Sequence, residues 1–347
     1  MQSKHFLKAG ILTLILIAGF IIGWELYLRS KGLNIAYDDG GALWADKRAK
    51  VYQPSDKATV FIGSSRIKYD LDIPTWRKLT GEDAIQLAME GNSPLPILDD
   101  LAADEKFRGK LVVDVTEGLF FTTNPGNLTD PKKNIGHFKK ETPSEKFSFQ
   151  LNHGLESQFI FLDRDNYSLA AFLDKLQIKN RPGVFAMPLF PLEFGRVTFE
   201  RQDIMMDKFL TDTNLQNQVT GNWKFFASIS KEPPASGQKL DSFLTSVKND
   251  CDKIKARGGE VLFVRTPSSG PYWMGEQKGF PREKYWDRIL SFTNCPGVHF
   301  KDYPAIDHFV CPEWSHLRPT DAVIFTENFV QILEKDKGWS FSHKDSL

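Results

Sequence analysis

The chain has 347 residues, room for one large domain or two small ones, and its 41% apolar and 25% charged content is that of an ordinary globular protein. Its 44 basic and 44 acidic side chains cancel, which excludes a general electrostatic attraction to nucleic acid. There is no zinc-type Cys/His spacing, Walker loop or dinucleotide glycine pattern, so no metal and no cofactor are expected.

In chain order, Phe6 to Leu28 is almost continuously apolar, long enough to span a bilayer as a helix. Trp24 and Tyr27 fall where interfacial aromatics sit. No A-x-A cleavage site follows, which favours an uncleaved anchor over a removed signal. Lys4 and Lys8 precede the span and Arg29 and Lys31 follow it, so flanking charge does not fix orientation. The expected arrangement is residues 1–29 as tail and transmembrane anchor, with the body outside the cytoplasm. Residues 30–57 read as a connector, with a short helix over Ala42 to Tyr52.

An apolar run, Thr59-Val60-Phe61-Ile62, predicts a first strand that ends at Gly63-Ser64-Ser65. A helix is expected from Leu71 to Leu79, with Pro74 in its first turn, and a strand from Ala84 to Met89 that ends in Glu90-Gly91-Asn92-Ser93. A helix from Leu95 to Ala103 and a strand from Leu111 to Val115 follow. This alternation predicts a parallel sheet covered by helices on both faces. Phe120 to Gln238 breaks the pattern and reads as a mainly helical insertion, with helical character at Tyr167–Leu176 and Arg201–Leu210. Order returns with a helix from Asp241 to Ala256, a strand from Glu260 to Val264 and an exit loop, Arg265 to Gly270. A helix over Tyr285–Phe292, a strand over Val298–Lys301 and a last helix from Thr320, as its N-cap, to Glu334 complete the body. The expected fold is thus α/β, with about five parallel strands over residues 58–335 and a tail at 336–347.

A serine at the carboxyl end of a strand can be a nucleophile or can cap the next helix. Nucleophilic serine chemistry also needs an imidazole base and a carboxylate to orient it. Near the C-terminus, Glu313 and His316 lie three positions apart just before the last helix, so the carboxylate can reach one ring nitrogen while the other faces the serine. His308 is an alternative base, and Asp302 or Asp307 an alternative acid. Arg66 and Arg265 either bind an anionic substrate or pair with carboxylates such as Asp70 and Glu117. Cys251 and Cys295 could form a disulfide, which sequence does not decide.

Taken together, these segments resemble the SGNH/GDSL hydrolase superfamily over about Ala58–Glu117 and Leu240–Glu334. Gly63-Ser64-Ser65 is similar to its first block, with Ser64 in the aspartate's place; Gly91-Asn92-Ser93 resembles its second; Glu313-Trp314-Ser315-His316 resembles its last, with Glu for the usual Asp. The third block, Gly-x-Asn-Asp, is absent, and Val115-Thr116-Glu117 stands there. The resemblance implies a three-layer α/β/α fold of flavodoxin-like type. It implies Ser65 as nucleophile, His316 as base and Glu313 as orienting acid, with Ser65 and Gly91 amides and Asn92 as oxyanion donors. The serine-serine form resembles membrane-anchored members that transfer or remove acyl groups on an envelope glycan, lipid or polymer. A catalytically inactive scaffold that binds such a glycan is the alternative expectation.

Overall fold

The computed structural model describes residues 2–174, 176, 187–230 and 233–342. The chain forms two compact units, Met1–Asp38 with Ser144–Ala186, and Asp39–Pro143 with Met187–Leu347.

The first unit carries helix α1 (Gln2–Ser30). Its stretch His5–Ser30 is long and apolar enough to cross a membrane; at 1.5 Å per residue its 26 residues reach about 39 Å, beyond a hydrocarbon core of about 30 Å. Phe6, Leu14 and Phe20 are exposed along it. Near its end, Glu25 bonds Arg29 Nε at 2.8 Å and receives the Ile160 and Phe161 amides at 3.2 and 3.3 Å. The only acid in the apolar run thus fastens its C-terminal end to the 158–162 segment, where the Gln158 carbonyl also accepts from Arg29 at 2.8 Å. The helix expected at Tyr167–Leu176 is seen as Leu169–Asp174, and position 175 lies outside the described residues.

The second unit is α/β. Helix α2 (Gly41–Arg48) leads into strand β1 (Ala58–Ile62). Then come α3 (Ser65–Asp70), α4 (Ile73–Thr80), β2 (Asp83–Gln86), α5 (Leu95–Ala103), β3 (Lys110–Asp114) and α6 (Gly126–Lys140). After the segment that belongs to the first unit come α7 (Thr213–Ile229), α8 (Gly237–Ala256), β4 (Glu260–Arg265), α9 (Gly270–Gly279), α10 (Trp286–Thr293), β5 (Gly297–His299) and α11 (Pro319–Lys337). The five strands are all parallel, in the order β2-β1-β3-β4-β5. Val60 lies opposite Ile85 on one side and Leu111 on the other.

Alternation along each strand builds two cores. Val60, Ile62, Val113 and Phe263 face α5, α8 and α10 through Leu98, Leu244, Val247 and Ile289. Phe61, Val112, Leu262 and Val264 face α4 and α11 through Trp76, Phe325 and Phe329. Both faces of the sheet are therefore buried, which is why the central parts of its strands read as short, mostly apolar runs. Cys251, Cys295 and Cys311 are buried thiols.

Several expectations are corrected. Between the first strand and the helix expected from Leu71 lies a further helix, α3, and all of its residues after Ser65 are buried. β2 stops at Gln86 rather than Met89, and β5 is Gly297–His299, with Phe300–Asp302 a 3-10 turn. The exit loop after β4 gives way to α9 at Gly270. Residues Arg201–Leu210 are not one helix: Asp203–Ile204 pairs antiparallel with Arg196–Val197, and a helix runs only over Asp207–Thr211. Arg201 takes a left-handed φ of 66°, so no helix passes through it. The last helix starts one residue before Thr320, with Pro319 in its first turn and Arg318 in the cap position.

Candidate active site

The sheet order reverses between β1 and β3, and crevices at the carboxyl ends of strands on either side of such a point are where open α/β sheets bind ligands. β1 ends there at Gly63. A Cβ on Gly63 would lie 2.6 Å from Asp114 Cβ and 2.8 Å from Ile67 Cγ2, so only glycine lets β1 turn into α3 against β3. Ser64 points back into the fold. Its Oγ is 2.7 Å from Thr116 Oγ1, which is 3.2 Å from Asp114 Oδ2, and Thr266 reaches Asp114 Oδ1 at 3.1 Å. Ser64 makes no cap bond to α3. Ser65, the first residue of α3, is the half-buried member of the pair.

Ser65 Oγ lies 2.8 Å from His316 Nε2, and His316 Nδ1 lies 2.9 Å from Glu313 Oε1. An ionised carboxylate only accepts hydrogen bonds, so Nδ1 carries the proton towards Glu313 and Nε2 is left to accept from the serine. The loop is held by its own backbone: Glu313 Oε1 also takes the amides of His316 (2.7 Å) and Ser315 (3.3 Å). This needs a sharp bend, and Trp314 supplies it at φ 79°, a conformation unusual for a bulky residue. The Trp314 carbonyl receives the Ser269 amide at 2.8 Å, and the Leu317 amide donates to Asp70 Oδ1 at 2.9 Å. Burial pushes the Asp70 carboxyl well above its usual range against the pull of that amide. Glu313 is 0% and His316 1% exposed, so the pair is shielded from water while Ser65 stays accessible. Rings of Tyr69 (4.6 Å), Phe194 (5.7 Å) and Trp223 (6.0 Å) surround the imidazole.

The alternatives at the C-terminal end lie elsewhere. His308 is exposed with Nδ1 on the Pro304 carbonyl, Asp302 pairs with Arg282, and the Asp307 carbonyl receives Lys301. Of the candidate oxyanion donors, Gly91 sits at φ 65° in an exposed turn whose carbonyl takes Asn127 Nδ2 at 2.8 Å. Asn92 directs its side-chain amide to the Glu90 carbonyl at 2.8 Å, and its backbone amide to Met89. Thr116, in the Val115-Thr116-Glu117 stretch, has its hydroxyl on Ser64 and Asp114.

Arg66 and Arg265 are interior groups, 1% and 0% exposed. Arg66 pairs with Glu276 and donates Nε to Ser315 Oγ at 3.2 Å. Arg265 reaches Glu117 at 3.0 Å and Glu276 at 2.5 Å, and Ser268 adds a bond to Glu276 at 2.7 Å. Burial alone would raise the Glu276 carboxyl, but Arg265 and Arg66 outweigh it and hold the group below its usual value. The structure thus gives both arginines the pairing role, with Glu276 as the partner that short-range sequence reasoning did not find.

Beside the Gly91 turn is a groove of about 370 Å³, within the range of small-ligand pockets. Glu90 and Asn92 line one side and Asp130, Lys133, Asn134 and His137 of α6 line it at helical spacing. Among the described residues, no group of three or more His, Cys, Asp or Glu is arranged to hold a metal ion. Trp223 and Tyr69 do not show in the sequence: each meets a partner 90 or more positions away, Glu313 and His316 respectively, and no local pattern marks it. No family model matches the chain, and no match is found among curated proteins.

Proposed function

We propose that this chain is a membrane-anchored serine esterase or acyltransferase of the SGNH/GDSL type, acting on an acyl ester of a cell-envelope glycan, lipid or polymer. The observation that carries the reading is the continuous hydrogen-bond chain Ser65 Oγ–His316 Nε2, His316 Nδ1–Glu313 Oε1, at 2.8 and 2.9 Å. The sheet order supports it: it is the order of the flavodoxin-like doubly wound folds, and Ser65 follows the strand at the reversal.

In this mechanism Ser65 Oγ attacks the acyl carbonyl as His316 Nε2 takes its proton. Glu313 holds the ring and offsets the imidazolium charge. The amides of Ser65 and Gly91, with Asn92 once its side chain leaves the Glu90 carbonyl, receive the oxyanion. His316 then protonates the departing alcohol, leaving the acyl group on Ser65. Water or an acceptor hydroxyl gives its proton to His316, attacks the acyl-enzyme and regenerates the serine. The groove beside Gly91 offers Glu90, Asn92, Asp130, Lys133 and His137 as hydrogen-bonding partners for a hydroxyl-bearing acceptor. Helix α1 suits a single-pass anchor, and an envelope substrate requires the body on the extracytoplasmic side of a bacterial inner membrane.

One observation favours the inactive-scaffold alternative: both Thr116 and Asn92 have their polar groups on protein partners. Turnover of 4-nitrophenyl acetate by the detergent-solubilised full chain separates the two. The esterase reading expects release of nitrophenol that is lost in Ser65→Ala and in His316→Ala. A folded protein with equal rates in all three is the scaffold.

A further inference from the structure

The two oxygens of Glu313 are served by different parts of the chain. Oε1 takes three donors from its own loop: the amides of Ser315 and His316 and the imidazole Nδ1. Oε2 takes one, the indole Nε1–H of Trp223 at 2.6 Å. Trp223 lies in α7, inside the stretch that interrupts the strand–helix alternation. Its ring is wedged among Phe190 (5.3 Å), Tyr272 (6.0 Å) and His316 (6.0 Å). Asn222, its neighbour, and Gln218 one turn earlier both donate to the Leu189 carbonyl at 3.1 Å, which ties α7 to the segment carrying Phe190.

A glutamate has one more rotatable bond than an aspartate. Bonds to Oε1 alone leave its carboxylate plane free to turn, and Oε2 would be a charged, buried oxygen with no donor. We propose that Trp223 is a positioning residue: by holding Oε2 it fixes the carboxylate so that Oε1 stays on His316, and helix α7 thereby completes the serine–histidine–glutamate chain. This inference rests on the proposed serine chemistry for its kinetic consequence, and on the hydrogen bond alone for its structural one. The same stretch that reads as an appendage to the sheet supplies a group on which the base depends.

The test is a double-mutant cycle on the detergent-solubilised full chain, using the rate of covalent labelling of Ser65 by a fluorophosphonate. Trp223→Phe keeps an aromatic ring and removes the N–H. Because a hydrogen bond to a charged group is a strong one, the change is expected to slow labelling about 10- to 100-fold in the native background. In the Glu313→Ala background the same change is expected to cost less than about twofold, since the partner is already gone. Equal slowing in both backgrounds, or none in either, overturns the proposal and leaves Trp223 as a wall of the site. A second readout stands apart from reactivity: the downfield His316 Nδ1 proton resonance is expected to move upfield or vanish in Trp223→Phe, and an unchanged resonance in the folded variant overturns the proposal. If the native protein does not label at all, the serine-enzyme reading fails, and the resonance still decides whether Trp223 holds Glu313. Phe190→Leu, which thins the same aromatic wall without touching the bond, gives the comparison for losses due to packing.

Discussion

Glu276→Gln tests how the interior behind the serine is held. The carboxylate is 8% exposed and takes Arg66 on Oε1, with Arg265 at 2.5 Å and Ser268 at 2.7 Å on Oε2. The amide would remove the charge and turn an NH2 towards a guanidinium, donor against donor. Arg265 would keep its pair with Glu117, and Arg66 would lose its ion-pair partner. Breaking a buried pair from one side costs about 3–5 kcal/mol, since a charge stays behind without its partner. At roughly 2–4 °C per kcal/mol for a body of this size, Tm should fall by about 6–20 °C. The contribution also has a pH signature. Because the arginines hold Glu276 below its ordinary value of 4.5, it is complete above that value and lost as pH falls through the depressed one. Thermal unfolding of the solubilised chain followed by circular dichroism measures it, with Asp252→Asn as reference. Asp252 forms exposed pairs with Lys248 and Lys255, and its loss should leave Tm unchanged. A Glu276→Gln shift under about 2 °C would refute the claim that this cluster is a buried electrostatic clamp.

Other outcomes follow from the same reasoning. Gly63→Ala puts a methyl 2.6 Å from Asp114 Cβ and 2.8 Å from Ile67 Cγ2; a loss of about 1–3 kcal/mol or more is expected in urea unfolding, and a neutral result would mean that β1 and β3 are not so close. His299 is 3% exposed, and burial, with Arg265 and Arg282 nearby, pulls its pKa from 6.5 to about 3. The unfolded chain therefore binds a proton that the folded one refuses, and native stability falls as pH drops from 6.5 towards 3. His299→Gln should remove up to about 1.4 kcal/mol per pH unit of that slope, read from urea midpoints at pH 6.5, 5.5 and 4.5; equal slopes would show that His299 is solvated. An alkaline-phosphatase fusion after Phe341 should be active in bacterial cells, as the proposed orientation requires, and an inactive, stable fusion would reverse it.

The sheet was legible because it is buried on both faces. Thr59–Ile62, Leu111–Val115 and Glu260–Val264 are short apolar runs ended by polar turns, a pattern with few other meanings. Helix α3 was not, because Ser65-Arg66-Ile67-Lys68-Tyr69-Asp70 looks like surface: Arg66 and Lys68 are buried only because Glu276 and Asp39, far along the chain, neutralise them. The stretch from Arg201 to Leu210 reads as helical for a related reason. The left-handed backbone of Arg201 goes with a guanidinium that meets Asp39 and the carbonyls of Gln86 and Ala88, none of them visible locally. The start of α11 was shifted because Thr320 is a good cap in isolation, whereas Pro319 suits the first helical turn. At the candidate site, Glu313 and His316 could be paired by spacing and Ser65 by its place after a strand. Trp223 could not, since it stands 90 positions from Glu313. The arginines show the limit of residue type as evidence: the same side chain suits an anionic ligand and an interior carboxylate, and only burial decides.

The central claim is an activated serine. Its most direct measurement is covalent labelling of the solubilised full chain with a fluorophosphonate, mapped by peptide mass. The account predicts one labelled site, Ser65, with labelling lost in Ser65→Ala and in His316→Ala. Absence of labelling at Ser65 in a folded chain, with a small probe such as methyl fluorophosphonate as well as a bulky one, would contradict it.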